Sequence, residues 1–488
     1  MDAPAAPPSD SLRDRLTVLK KFRHRLAESG DAYVQAVGQH DRRAPGATLS
    51  AEVIPLADAC RFPERNAARL LKPRKLGWRH RPVWLMGVPA QVRREPFGRV
   101  LVIGPGNYPL FLPGAQVLQA IAAGNTVEVK PAPGDGPGGS ACMHLLRRDL
   151  IAAGLPESRL TVLGESLEAA QEAIDRADLV VATGSFRTGQ AILQRCAARA
   201  TPCILELSGC DAMVVLESAD LAAAASAVRF GLSLNASQTC IAPRRVLVAP
   251  GVIDRFCAKL QDTLSHLPAT PVPTPGLEGL RQLAPRMSAA GATRLSGDGE
   301  PTSPMRPMVW RLDQHDASIE GVDVFAPWAV VSPAPPEQAQ LVETIHRGGY
   351  RLGASVWGER RAAEALARKL DVGSVVINDV VATTADPRLP FEGRGRSGYG
   401  PTRGAEGLLA MTRTKAVSTR RLPFRPHLDP PSAAQEDVLR AGLQLSHGRS
   451  LPQRLAAIPS LVRAAQRVTK APANPGELHT GLRQNEAS

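Results

Sequence analysis

Apolar positions recur along this chain in three different rhythms. In residues 11–28, Leu12, Leu16, Leu19, Phe22 and Leu26 recur at helical spacing among lysines and arginines, the stripe of an amphipathic helix that Gly30 is placed to stop. Residues 40–75 are charged, show no period and read as irregular, while 83–92 read as a hairpin around a Gly-Val-Pro turn. The second rhythm begins after Arg99. Val100, Leu101, Val102 and Ile103 form an unbroken apolar run, as a strand covered on both faces requires. A helical stretch at 110–123 stops at Gly124-Asn125; a strand at 126–129 and a helix at 140–153 follow. Further strands read at 160–163, 179–182 and 203–207, with helices between them. A second block repeats the alternation: strand 213–216, helix 221–234, a loop around Cys240, strand 246–249 and helix 252–267. Residues 268–310 are rich in Pro and Gly and poorly patterned, and strands resume at 329–331, 354–356 and 374–377.

The third rhythm lies beyond residue 420, where composition shifts to Pro, His, Arg and Gln. There Leu451, Leu455, Ile458, Val462 and Ala465 follow helical spacing beside Arg454, Arg463, Arg467 and Lys470, with Pro459 interrupting the run. The alternation of strand and helix predicts an α/β fold: a doubly wound, mostly parallel sheet forming a cofactor domain, plus a second α/β catalytic domain. The expected divisions are 1–205, 206–389, a closing segment 390–420 and a tail 421–488.

Composition narrows the class. With 43% hydrophobic and 22% charged residues, the 488-residue chain reads as globular and too long for one ordinary core. The net charge of +13 looks scattered, and aromatics at 4% leave no basic-aromatic stripe for reading nucleic acid. Seven cysteines lack CxxC pairs and metal-ligand spacing, which predicts free thiols, a reducing compartment and no metal site. The proline-bearing start has no apolar signal core, and no apolar run is long enough to span a bilayer. The expected location is cytoplasmic, with any membrane contact peripheral and salt-sensitive.

Candidate chemistry sits at strand ends, where ligands of such sheets bind. Cys240, between small and polar neighbours in residues 235–243, reads either as an activated nucleophile or as a buried core thiol. Glu206 stands inside the apolar strand 203–207; it reads as a base whose pKa burial raises, or as a strand-end partner in an ion pair. Asn107 follows the first strand of the regular block and reads as an oxyanion donor or as a turn residue. Gly184, Ser185 and Gly189 open a helix after strand 179–182, a place where backbone N–H groups can face a pyrophosphate. Lys130 ends a strand, suited to a ribose or phosphate or simply solvated.

Together these segments resemble the aldehyde dehydrogenase superfamily over about residues 10–420. The motifs that match are Asn107-Tyr108-Pro109, Lys130-Pro131, Thr183-Gly184-Ser185, residues 205–209, Gln238-Thr239-Cys240, Asp323-Val324-Phe325 and the segment 390–400. The Cys-Ile-Ala-Pro run and Asn378-Asp379-Val380-Val381 look most like the class 3, fatty-aldehyde branch. The resemblance implies oxidation of an aldehyde with NAD or NADP. Cys240 would be the nucleophile, Asn107 the oxyanion donor and Glu206 the hydrolytic base. Lys130, Gly184, Ser185, Gly189, Asp323 and Phe325 would hold the cofactor, and the protein would be a homodimer. Departures from the pattern are Gly106 for Trp, Pro133 for Glu, Ser208 and Cys210 for Gly and Lys, Ser237 for Gly and Asp323 for Glu. They bear on the cofactor contacts and leave a non-catalytic scaffold as the alternative reading.

Overall fold

The apolar run after Arg99 lies at the centre of a six-stranded sheet, with Val100, Leu101 and Val102 fully buried. The structure, a computed structural model, describes residues 10–470 apart from 42–43, 83–84, 86, 134–137, 298, 315, 317–320, 422–424 and 429–431. Its early strands are β1 (Arg74–Leu76), β2 (Ala90–Pro96), β3 (Arg99–Ile103), β4 (Thr126–Lys130), β5 (Leu160–Val162), β6 (Leu179–Gly184) and β7 (Cys203–Leu207). There follow β8 (Ala212–Val215), β9 (Arg245–Val248), β10 (Thr293–Ser296), β11 (Met308–Arg311), β12 (Trp328–Pro333), β13 (Gly353–Trp357) and β14 (Ser374–Ile377). Two late strands, β15 (Gly398–Tyr399) and β16 (Thr412–Ser418), complete the set.

One sheet has the order β15-β7-β6-β3-β4-β5 and is parallel except for β15, where Gly398 pairs with Glu206. A second has the order β10-β11-β12-β9-β8-β13-β14 and is parallel except for β10. Both are the mostly parallel α/β sheets expected. Helices cover their faces, and the helix Phe111–Ala123 is buried along its whole length. That helix ends where the sequence indicates, at Gly124 with φ 101°, a left-handed conformation that costs an L side chain about 1 kcal/mol.

Contacts divide the chain into two compact units. One comprises 1–72 and 94–414 and contains both large sheets; the other comprises 73–93 and 415–488. The second unit includes β1, paired antiparallel with β2 in a three-stranded sheet of order β1-β2-β16. It also has three helices, Ala433–His447, Leu451–Ala456 and Ile458–Lys470.

Some expectations are corrected. The first helix runs Leu12–Glu28 and ends at Ser29, next to Gly30 as expected, but Gly30 opens a further helix, Gly30–Asp41. Residues 40–75 are not irregular, because Ile54–Leu70 is a helix whose buried Leu56, Ala59, Cys60, Pro63 and Ala67 keep helical spacing. Pro55 in its first turn and Pro63 in its interior hide that period in the sequence. Likewise 268–310 contains the helix Thr274–Ala289, which buries Leu277, Leu280, Leu283 and Met287 around Pro285. The hairpin expected at 83–92 falls partly outside the described residues; what β2 pairs with antiparallel is β1, Arg74 opposite Val92.

Candidate active site

Glu206 lies on β7, opposite Thr183 of β6 on one side and Gly398 of β15 on the other. It is buried, and burial pushes its pKa up, with the nearby Arg403 charge and the Thr402 hydroxyl opposing that shift. The Thr402 hydroxyl donates to Oε2 at 3.3 Å, and Oε1 has no hydrogen-bond partner among the described residues. An ion-paired strand end would have both oxygens satisfied; this carboxylate has one available to a proton or a water.

The loop before Cys240 is held by cross-links. The Asn107 side-chain amide donates to the Gln238 carbonyl at 2.6 Å, and the Asn235 amide donates to the Asn107 carbonyl at 2.7 Å. The Tyr108 and Thr239 hydroxyls share a hydrogen bond of 2.7 Å. Asn235 and Ser237 have φ of 52° and 59°, the left-handed region that favours glycine. Ser237 is held there by Arg244, whose buried guanidinium donates to both the Ser237 hydroxyl and its carbonyl, and to the Ala326 carbonyl at 2.8 Å. Burial lowers the Arg244 pKa to about 10, so it stays charged at neutral pH.

Cys240 is half-buried at the end of this loop. Burial pushes its thiol pKa well up, the carboxylates of Glu206 and Asp211 add to the rise, and the Arg403 charge and the Ile241 N–H oppose it. The resting residue is therefore a thiol that needs a base. Glu206 is near enough to oppose its ionisation, and the chain crosses close by: a Cβ at Gly209 would stand 2.6 Å from the Cys240 carbonyl. Arg403 lies over the rings of Phe391 and Phe111, 4.4 and 5.8 Å from their centroids, and donates to the Thr384 carbonyl at 2.5 Å. The helix Phe111–Ala123 is anchored beside the Asn107 loop by buried Glu52, which accepts from the Phe111 N–H at 2.6 Å.

Of the sequence-predicted cofactor residues, Lys130 and Gly184 lie at the C-terminal ends of strands of the first sheet, Ser185 and Gly189 belong to the helix after β6, and Asp323 and Phe325 lie in the loop before β12 of the second sheet. Gly184 ends β6, and Ser185 caps the helix Phe186–Ala197, accepting from the Thr188 N–H at 3.1 Å. A Cβ on Gly184 would fill space over that helix N-terminus, so glycine leaves room for an anion against the free N–H groups of the first turn. Gly189 serves packing: a Cβ there would meet Leu207 at 2.5 Å. Lys130 ends β4, buried, and its pKa is lowered by that burial. Asp323 has Oδ1 without a hydrogen-bond partner among the described residues, and its pKa is raised by burial against the pull of the Ser208 hydroxyl and the Arg244 and Arg396 charges. Phe325 follows at half-burial. An orphaned carboxylate oxygen, a strand-end lysine and an uncovered helix N-terminus fit a dinucleotide with ribose hydroxyls and a pyrophosphate.

Sequence reasoning missed Arg244, Arg403 and Asp211. An arginine pair opening the apolar strand β9 was a usable signal for Arg244, since buried arginines need partners. Asp211 beside β8 was similarly visible, whereas nothing in the spacing marks Arg403.

With that geometry in place, the comparisons define the class. The chain belongs to the aldehyde dehydrogenase family, whose model matches residues 8–417. It is 31% identical over 449 residues to the 4,4'-diapolycopene aldehyde oxidase of Methylomonas sp, covering 89% of this chain and 82% of that protein. It is 30% identical over 345 residues to the NADP-dependent succinate-semialdehyde dehydrogenase of Deinococcus radiodurans, covering 67% and 71%. In fold it matches the Mycobacterium tuberculosis aldehyde dehydrogenase complexed with NAD+, with a TM-score of 0.75 at 24% identity over 84% of this chain and 86% of that one. The protein is an aldehyde dehydrogenase.

Proposed function

We propose that Cys240 is the nucleophile of this aldehyde oxidation, with Asn107 and the Cys240 backbone N–H receiving the oxyanion and Glu206 acting as base. The observation that carries the reading is the tie between Asn107 and Gln238, which fixes an amide donor two residues from the only half-buried cysteine of the 235–243 loop. The buried Glu206 supports it, with one oxygen unpartnered and its pKa raised toward a useful base. Glu206 takes the Cys240 thiol proton and passes it to solvent as sulfur adds to the aldehyde carbon, and the oxyanion of the resulting thiohemiacetal rests on the two donors. The bound nicotinamide supplies a hydride acceptor, which leaves a thioester on Cys240. Glu206 then takes a proton from water, the hydroxide adds to the thioester carbon, and the carboxylic acid departs as the Cys240 thiolate leaves and is reprotonated.

The cofactor would be held by Lys130, the Gly184-Ser185 turn with the Gly189 helix behind it, Asp323 and Phe325. A homodimer is part of the same reading, supported by β16 at the edge of its sheet with residues 413–416 exposed. Cytoplasmic location is supported by seven free cysteines. The test is reduction of NAD and NADP by the purified protein with long-chain aliphatic, polyene, aromatic and anionic semialdehydes. Reduction with at least one class, with one carboxylic acid formed per hydride, is the expected result. No reduction by protein that binds the nucleotide would overturn it.

A further inference from the structure

The charge that looks scattered along the sequence is gathered in the fold. The second unit, 73–93 and 415–488, holds sixteen Lys and Arg against five Asp and Glu, a net +11 of the chain's +13. The first unit, more than four times longer, is close to neutral. The helices of the second unit are also inverted with respect to a protein core. They bury small residues, Ala441, Ala457 and Ala464, and leave Leu439, Leu443, Leu451, Leu455, Ile458 and Val462 exposed, Leu439 at 71% and Leu455 at 53%. Large aliphatic side chains left exposed on three successive helices are the mark of a surface that meets something else. The acidic residues on these helices are engaged, Glu436 with Arg440 and Asp437 with Arg467. Arg449, Arg454 and Arg463 are exposed and have no carboxylate partner among the described residues.

We propose that this unit docks the protein on a membrane surface bearing anionic lipid headgroups, the aliphatic side chains entering the boundary between headgroup and acyl chain and the arginines meeting phosphates. Basic charge and exposed aliphatic residues on one unit answer the two layers of such a surface together. No helix among the described residues is long and apolar enough to cross a membrane, so the contact lies on the surface. A nucleic acid would match the charge but offers no apolar counterpart to six aliphatic side chains, and Trp78 is the one large exposed aromatic of this unit among the described residues. A second copy of the chain would match the apolar residues but would set arginine-rich helices against themselves with their carboxylates already paired.

The experiment is co-sedimentation of the full chain with phosphatidylcholine vesicles, alone or with about one-third phosphatidylglycerol, at low and at about 0.5 M salt. Binding is expected to the anionic vesicles, at least about tenfold tighter than to the neutral ones, and weakened by salt. Replacing Leu439, Leu443, Leu455 and Val462 with Ser should reduce that binding about tenfold or more. A milder variant, Arg454→Gln with Arg463→Gln, should reduce it by about fivefold per charge while keeping the helices. Dehydrogenase rates of both variants on a water-soluble aldehyde should equal those of the parent, so the outcome is read independently of the reaction mechanism. The proposal falls if the parent ignores anionic vesicles or if the apolar variant binds them as well as the parent. It also falls if the parent binds duplex DNA with the same loss on apolar substitution, or if light scattering shows that variant halving the assembly mass.

Discussion

The loop carrying Cys240 and the bank proposed to hold the cofactor are built in opposite ways. The loop is tied to Asn107 twice, to Tyr108 once and to Arg244 through Ser237, and two of its residues are held in the left-handed region by those ties. On the cofactor side Asp323 keeps an orphaned oxygen, and Gly184 carries no side chain over the N-terminus of the helix that follows it. The difference follows the work of each region. A covalent step needs reacting atoms fixed before the substrate arrives, because a small misplacement costs large factors in rate. A cofactor that enters and leaves on every turnover needs groups whose partners are supplied by the ligand, since groups already satisfied internally gain nothing on binding.

The largest expected effect is on the rigid side. Cys240→Ala should lower turnover by about four orders of magnitude or more, because removing the nucleophile leaves only binding and the oxyanion donors. Nucleotide binding, followed by fluorescence quenching, should stay within about threefold of the parent, because the cofactor groups stand on other strands. Substantial turnover in this variant would show that the tied loop is scaffolding and that the comparison fails.

Next comes Glu206→Gln. The amide keeps the shape but cannot take a proton, so release of the acid should slow by about 10²–10⁴-fold. A mass increase equal to the acyl group should appear on Cys240 after a single turnover. Steady-state rates like those of the parent, with no adduct, would remove Glu206 from the reaction.

On the looser side the effects should be smaller and should appear in cofactor affinity. Asp323→Ala removes the orphaned acceptor, so NAD affinity should fall about tenfold, the worth of one charged hydrogen bond, with the alkylation rate of Cys240 unchanged. Pro133 is exposed and adds no carboxylate to that of Glu165, the acidic group that acts on Lys130, so repulsion of a 2′-phosphate there is limited. NADP should therefore be used measurably, with a preference for NAD below about a thousandfold, about 4 kcal/mol. An Asp323→Ala enzyme with unchanged NAD affinity would mean that this bank is as internally satisfied as the loop.

The sheets and the residues of the proposed site were readable from residue order because both are written in short local strings, the latter at strand ends. Cys240, Glu206 and Asn107 each stand at a break in an apolar pattern, and the unbroken run at 100–103 and the run 203–207, interrupted by Glu206 alone, marked parallel strands. What stayed hidden depends on residues distant in sequence. Arg244 matters because it reaches Ser237 and Ala326, and Arg403 because it lies over Phe391 and Phe111, contacts that no period announces. Proline conceals helices for a different reason: the Pro63 helix survives since tertiary burial of Leu56, Cys60 and Ala67 outweighs the broken hydrogen bond, while local propensity argues against it. The basic second unit was hidden because it is assembled from two stretches more than three hundred residues apart.

The finest effect concerns Asp211, which lies behind the Cys240 loop on the approach to β8. It is buried, neither carboxylate oxygen makes a well-aligned hydrogen bond among the described residues although the Gly353 N–H lies close enough to act on it, and it lines a small pocket with Ser355, Ser374 and Thr384. Burial raises its pKa to about 8, against the pull of the Gly353 N–H and the charges of Arg245 and Arg244. The folded value lies above the usual 3.8, so the folded protein binds this proton more tightly than the unfolded chain does. Its contribution to stability is therefore fully present below the unfolded value and is lost as pH rises to about 8. Asp211→Asn carries no such penalty, so its melting temperature relative to the parent should rise between about pH 4 and about pH 8 and then level off, a change of about 5 °C. The same substitution removes one of the carboxylates opposing the Cys240 thiolate, so the pH midpoint of Cys240 alkylation should move down, by less than in Glu206→Gln, since Glu206 opposes it more strongly. A melting difference that stays flat with pH, or an alkylation midpoint that moves up, would mean that Asp211 is uncharged for reasons other than burial and that the rigid loop is not tuned from behind.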